Sequence, residues 1–149
     1  MHIQICPQAF NPWSEVADYP ARSEMKPGSY GACSVFVGFM RDFNLGDKVQ
    51  CMELEHYHGM TEKLLAEHAQ KVNQQYGLAD LLIIHRVGMI YPQDPIVLVA
   101  AWSAHRAEAF DGCRDMMEYL KAKATFWKKE SLEGSEGQRW VDNRKAMPL

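Results

Sequence analysis

Two apolar runs limit most sharply what this chain can fold into: Asp80–Val87 (DLLIIHRV) and Ile96–Ser103 (IVLVAAWS). Both are too continuous for exposed strands and far too short to span a membrane, so they read as strands in a sheet interior. Gly88–Tyr91 extends the first run, and Pro92-Gln93-Asp94-Pro95 turns the chain between them. The second run delivers the chain into a segment of different period, Ser103–Glu130. There Phe110, Cys113, Met117 and Leu120 recur at helical spacing, with Ser103 as the expected N-cap and Glu108 and Asp111 favouring the first turns. At 100° per residue Lys121 falls about 20° round the helix from Phe110, at the edge of the apolar stripe.

The remaining segments complete the element order. His2–Ile5 alternates as a short strand. Asn11-Pro12 is an N-cap followed by proline at the first helical position, opening a helix not expected to pass Pro20. Tyr30–Met40 reads as a central strand with Gly38 permitting a bulge, and Val49–Tyr57 as a strand with mixed faces. Gly59-Met60-Thr61 opens a helix with Leu64, Leu65, His68, Val72 and Tyr76 on its apolar side and Gly77 as its cap. Residues from about 131 form a glycine- and acid-rich tail, in which Gln138–Val141 returns as a short strand or ordered turn. Strands outnumber helices and do not alternate with them, which predicts one α+β domain over residues 1–149: a mixed or antiparallel sheet packed with about three helices.

Composition narrows the chemistry. The net charge of −3 gives no global bias toward nucleic acid or an anionic membrane. Residues 121–129, in contrast, carry Lys121, Lys123, Lys128 and Lys129 without an acid, which suits a small anionic ligand. The four scattered cysteines form neither a C-x-x-C pair nor a zinc spacing and read as reduced thiols of a cytoplasmic protein. The start MHIQICPQAF lacks the basic and apolar regions of a signal peptide. Arg41, ending a strand at a loop, is either a solvated arginine or an oxyanion clamp. His105-Arg106 opens a helix whose free N–H groups favour an anion, or simply caps it; His85-Arg86, inside a strand, reads as structural. Lys121 and Lys128 are either complements to a helix end or a pair depressing each other's pKa, fit for acid–base work or for steadying an anion. Phe126-Trp127 is core or a platform for a flat ring. No phosphate loop, G-x-S-x-G, H-E-x-x-H or Cys–His dyad is recognisable, so a nucleophile would have to come from elsewhere.

The stretches GACSVFVGFMRDFNLGDKV, LEHYHGMTEKLL, IIHRVGMIYPQD, SAHRAEAF, YLKAKATFWKKE and RWV, in this order, resemble the large, catalytic subunit of molybdopterin synthases over roughly residues 30–141. The resemblance implies an α/β hammerhead-type fold and a sulfurtransferase of molybdenum cofactor biosynthesis. Its substrate would be cyclic pyranopterin monophosphate, sulfurated twice by the C-terminal Gly-Gly thiocarboxylate of a small ubiquitin-like partner. Two large subunits would form the centre of a heterotetramer, with no resident cofactor or metal and no nucleic-acid or membrane partner. It places substrate binding on Phe39, Met40, Arg41, His105, Arg106, Lys121, Lys128, Lys129 and Glu130, and catalysis on Lys121 with Lys128 in support. Arg144 would add a further basic group. Some of these would reach a site from the second large subunit. The sequence departs from the family pattern at Val37, Phe39, Asp42-Phe43, Gln93-Asp94-Pro95 and Thr125. A non-catalytic scaffold binding the same tail, and a cyclic-phosphate hydrolase using His105, are the alternative functions.

Overall fold

The two apolar runs become neighbouring strands whose side chains are buried on both faces. In the computed structural model, which describes residues 1–134 and 137–141, β1 (His2–Cys6), β5 (Asp80–Arg86), β7 (Pro95–Ser103) and β2 (Ala32–Phe39) form one sheet in the order β1-β5-β7-β2. β1 runs parallel to β5, and the other pairs are antiparallel. One face of β5 and β7, carrying Leu81, Ile83, Val97, Val99 and Ala101, packs on two helices, α2 (Met60–Tyr76) and α3 (Arg106–Ala122). The other face, with Leu82, Ile84, Leu98, Ala100 and Trp102, is covered by α1 (Pro12–Arg22) through Tyr19, whose ring stacks on Trp102 at 5.1 Å. Coverage from both sides is why these two strands carry no polar alternation.

A second sheet lies against the helix side of the core. It contains β3 (Phe43–Asn44), β4 (Asp47–His56), β8 (Phe126–Leu132) and β9 (Gln138–Val141) in that order, with β6 (Gly88–Ile90) paired to β4. Gly88 is the junction. Its φ of +81° lies in the left-handed region that side chains disfavour, and there the run that seemed one strand breaks and changes sheet. Met52, Leu54, Ile90 and Phe126 join the same core as α2 and α3. A register shift between Val49 and Cys51 accounts for the mixed faces of β4: one extra residue lets Val49 point inward together with Met52 and Leu54.

The α+β class, the helices and the caps Asn11 and Gly77 follow the sequence, and several details do not. Asn11 Oδ1 accepts the N–H groups of Trp13 and Ser14 as expected, yet α1 continues to Arg22 with Pro20 inside it. Pro20 falls in the last turn, so the backbone bond it forgoes, to the Val16 carbonyl, is followed by only two more helical residues. β2 is an edge strand, not a central one, and its Val35 is 37 % exposed. The bulge anticipated at Gly38 is present. Ser103 is not the N-cap of α3: β7 extends through it, its hydroxyl donates to the His105 carbonyl, and His105 takes the cap position. Phe110 is 63 % exposed, because the buried face of α3 runs through Ala109, Cys113, Met116 and Leu120. Ser131 and Leu132, assigned from sequence to the tail, belong to β8, and Gln138–Val141 pairs with it as β9. Arg144 lies outside the described residues.

Candidate active site

The basic-aromatic run after α3 is a strand, and its period of two sorts its side chains. Phe126, Lys128 and Glu130 share one face of β8, while Trp127 and Lys129 take the other. Phe126 is buried and stacks on His85 of β5, the ring centroids 4.0 Å apart and the planes 13° from parallel. Lys128 enters a cleft beside this stack, lined also by Met117, Leu120 and Lys121 of α3. Lys121, in the last turn of α3, thereby meets Lys128 across the cleft although six residues lie between them in sequence.

The electrostatics follow from this crowding. Burial pushes the Lys128 ammonium below its ordinary pKa; Lys121 and Arg41 push it further down, and Glu130 holds it partly up. Lys121 is lowered too, first by burial and then by Arg41, with Glu118 opposing. Arg41 therefore belongs to the same positive cluster. It follows the bulge at the end of β2, where Met40 is buried and fixed by two backbone bonds: its N–H donates to the Asp94 carbonyl at 2.9 Å, and its own carbonyl accepts the Gln93 N–H at 2.8 Å. Phe39, next to it, is 38 % exposed. Glu130 is buried, accepts a hydrogen bond from Asn44 Nδ2 at 2.8 Å, and lies 3.6 Å from Arg139 Nε. It anchors β8 and supplies the countercharge below Lys128. Lys129 sits on the opposite face, its Nζ 5.5 Å from the centroid of the Trp140 ring, and does not share the cleft.

His85 lines the cleft, a role the sequence did not suggest. Its Nδ1 bonds to the Arg86 carbonyl at 2.8 Å, as a structural histidine would. Burial, reinforced by the charge of Lys128, lowers its pKa to about 4, so it is neutral at pH 7 and presents an uncharged flat wall. The alternation of Phe126, Lys128 and Glu130 was the available signal that a strand follows α3 and would bring Lys128 onto one side with a buried aromatic.

His105 and Arg106 are elsewhere. They stand exposed at the N-terminal end of α3, where the His105 side chain makes no capping bond. A helix rises 1.5 Å per residue, so Arg106 and Lys121 are about 22 Å apart along it. Within one protomer the expected site residues therefore divide: Lys121 and Lys128 line the cleft with the charge of Arg41 nearby, Phe39 and Met40 precede Arg41, Glu130 supplies the countercharge, and His105 and Arg106 face outward at the far end.

A cluster of lysines and an arginine around a half-apolar cleft can bind an anionic group and move a proton, but it holds no strong nucleophile. Comparison with known proteins adds identity to this geometry. A curated molybdopterin synthase catalytic subunit from Ralstonia nicotianae is 54 % identical over 114 residues, 76 % of this chain and 64 % of that protein, so the match spans just under two thirds of it. One from Pseudomonas aeruginosa is 46 % identical over 144 residues, 97 % of this chain and 92 % of the relative. Among solved structures, the molybdopterin biosynthesis MoaE protein from Burkholderia ambifaria superposes with a TM-score of 0.79 at 43 % identity, covering 97 % of this chain and 90 % of that one. The sequence model of the family described as "MoaE protein" matches residues 12–123, a span that holds the β2 end with Arg41, both apolar strands and all of α3 with His105, Arg106 and Lys121, and on these grounds the chain belongs to the MoaE family.

Proposed function

We propose that this chain is the catalytic subunit of a molybdopterin synthase. It converts cyclic pyranopterin monophosphate to molybdopterin, with sulfur from the C-terminal thiocarboxylate of a small ubiquitin-like partner. The observation that carries the reading is the meeting of Lys121 and Lys128 in one cleft, with the charge of Arg41 near enough to act on both, in a chain whose near relatives bear that activity in their names. The cleft needs no nucleophile of its own, since the thiocarboxylate sulfur is one. The positive cluster attracts the partner's anionic tail and holds it against the substrate. Each transfer forms a carbon–sulfur bond on the substrate side chain as a carbon–oxygen bond breaks, one to the cyclic phosphate, which opens, and one to an oxygen lost as water; water then cleaves the acyl–sulfur bond and leaves the tail as a carboxylate. A lysine with a lowered pKa gives up its proton more readily than an ordinary one, and its charged form steadies anionic intermediates. We assign this role to Lys121, with Lys128 in support.

Arg106 and His105 bind the phosphate and pterin of a site on the second large subunit, because within one chain they lie too far from Lys121 to share its substrate. Two large subunits thus form the centre of the assembly, and a small subunit docks at each cleft. The reaction requires no resident cofactor. No helix among the described residues is long and apolar enough to cross a membrane, and we place the protein in the cytoplasm with its soluble substrates.

The test is a single-turnover reaction of the purified protein with cyclic pyranopterin monophosphate and a thiocarboxylated partner, following dithiolene formation and partner mass together. Dithiolene with loss of sulfur from the tail supports the proposal. A stable complex that leaves the sulfur on the tail overturns it in favour of a non-catalytic scaffold.

A further inference from the structure

Away from the lysines, three side chains converge at the corner where β4 runs into α2. His56 ends β4, His58 follows in the connection, and Glu62 lies in the first turn of α2; each offers one ligating atom, and these atoms all lie within 4.8 Å of one another. Local structure sets the grouping. Glu62 Oε2 accepts the Gly59 N–H at 2.7 Å, which leaves Oε1 beside His56 Nε2 at 3.5 Å. The His56 side chain is only 5 % exposed, and its Nε2 is buried without a hydrogen-bond partner.

A gap of 3.5 Å is too long for an N–H···O bond, which needs roughly 2.7–3.2 Å. It does match the spacing of two ligands on one ion: with metal–ligand bonds of about 2.0–2.1 Å, tetrahedral neighbours stand about 3.4 Å apart. The His58 ring lies 4.3 Å from the His56 ring, tilted by 54°, and is exposed, so rotation about its own side-chain bonds can close the third edge. Its own backbone N–H, then Gly59 and His56, hold the Glu62 carboxyl below the usual carboxylate range, which keeps it an anion.

We propose that His56, His58 and Glu62 form a binding site for one divalent transition-metal ion of the zinc type, which clamps the end of β4 to the start of α2. Two imidazoles and one carboxylate suit Zn²⁺, Co²⁺ or Ni²⁺; calcium and magnesium prefer all-oxygen sets. Three protein ligands leave a fourth position for water. The site is next to the cleft but not in it: the His56 and Phe126 ring centroids are 6.0 Å apart, and Phe126 in turn stacks on His85, which lines the cleft. The ion therefore stabilises the wall behind the cleft and touches no reacting group. The motif His-x-His-x3-Glu differs from the C-x-x-C and H-E-x-x-H patterns, and a metal here departs from the absence of a resident metal that the family resemblance implied.

The test titrates chelator-treated protein with Zn²⁺ by calorimetry, with Co²⁺ absorption as a coordination probe. The expected result is one Zn²⁺ per chain and a Tm that rises with Zn²⁺ concentration. Affinity falls at least about tenfold in His58→Ala and in Glu62→Gln, and is unchanged in the surface control His2→Ala. Visible Co²⁺ bands of four- or five-coordinate intensity support the geometry. Failure of the folded protein to take up Zn²⁺ at sub-millimolar concentration overturns the proposal. So does equal uptake by the parent and His58→Ala, or a weak six-coordinate Co²⁺ spectrum.

Discussion

At the C-terminal end of α3, Lys121 faces Lys128 in a cleft whose burial weakens the charge of both; about 22 Å away, at the N-terminal end, His105 and Arg106 stand in solvent. The same helix carries basic residues in two opposite environments. The first environment disfavours the charged ammonium. The second leaves the arginine fork exposed to solvent. On the proposed function, chemistry belongs to the first end and substrate binding to the second, and a second copy of the chain brings them together.

The sharpest way to break this division is Lys121→Ala. Loss of a group working in proton transfer lowers turnover by about 10²–10⁴-fold, with circular dichroism and oligomeric state unchanged; substantial remaining turnover removes Lys121 from catalysis. Mixing Lys121→Ala chains with Arg106→Ala chains restores activity if one site draws on two protomers, since one of the two sites in each mixed dimer is then intact. No recovery would place both residues in the service of one chain's site.

The cleft end is also distinguished by its titration. His85 has a pKa of about 4 in the fold against an ordinary 6.5. The fold favours the neutral ring, so its contribution is complete above pH 6.5 and is lost as the pH falls through 4, amounting to about 3 kcal/mol at most. Denaturant unfolding across pH 4–7 measures it: His85→Gln flattens this acid limb and His105→Ala does not. Arg106→Ala removes a charged hydrogen bond worth about 1.5–3 kcal/mol. It weakens substrate affinity about 10- to 150-fold while sparing the rate at saturation, and an unchanged KM removes Arg106 from phosphate binding. The smallest effect belongs to the cysteines. Cys6 and Cys113 are buried, and burial raises both thiol pKa values. Serine at Cys6, Cys33, Cys51 or Cys113 leaves sulfur transfer in place wherever the fold survives; its loss in one well-folded variant would mean that this chain carries sulfur itself.

What was legible in the sequence follows the range of the forces involved. Burial of Ile83 and Val99 is written into unbroken apolar runs, and Asn11 and Gly77 mark their helix ends through local backbone bonds. Lys121 and Lys128 stood out by composition. His85 did not, because its place beside Phe126 depends on how β8 and the first sheet pack, which no local pattern encodes. Phe110 misled for the same reason: helical spacing gives a stripe, and only packing decides which edge of it is covered. The exchange of partners at Gly88 was hidden because a left-handed residue inside an apolar run looks like continuity.

The connection from α3 to β8 is three residues long, Lys123 to Thr125. Because β8 alternates, a slip of one position would put Trp127 or Lys129 where Lys128 now stands and move the lysine to the outer face. So short a connection has little slack to absorb an added or deleted residue before the strand itself shifts. Descendants of this chain are therefore free to vary the side chains of that connection but not its length, and a length change there would abolish the cleft without touching a single one of its residues.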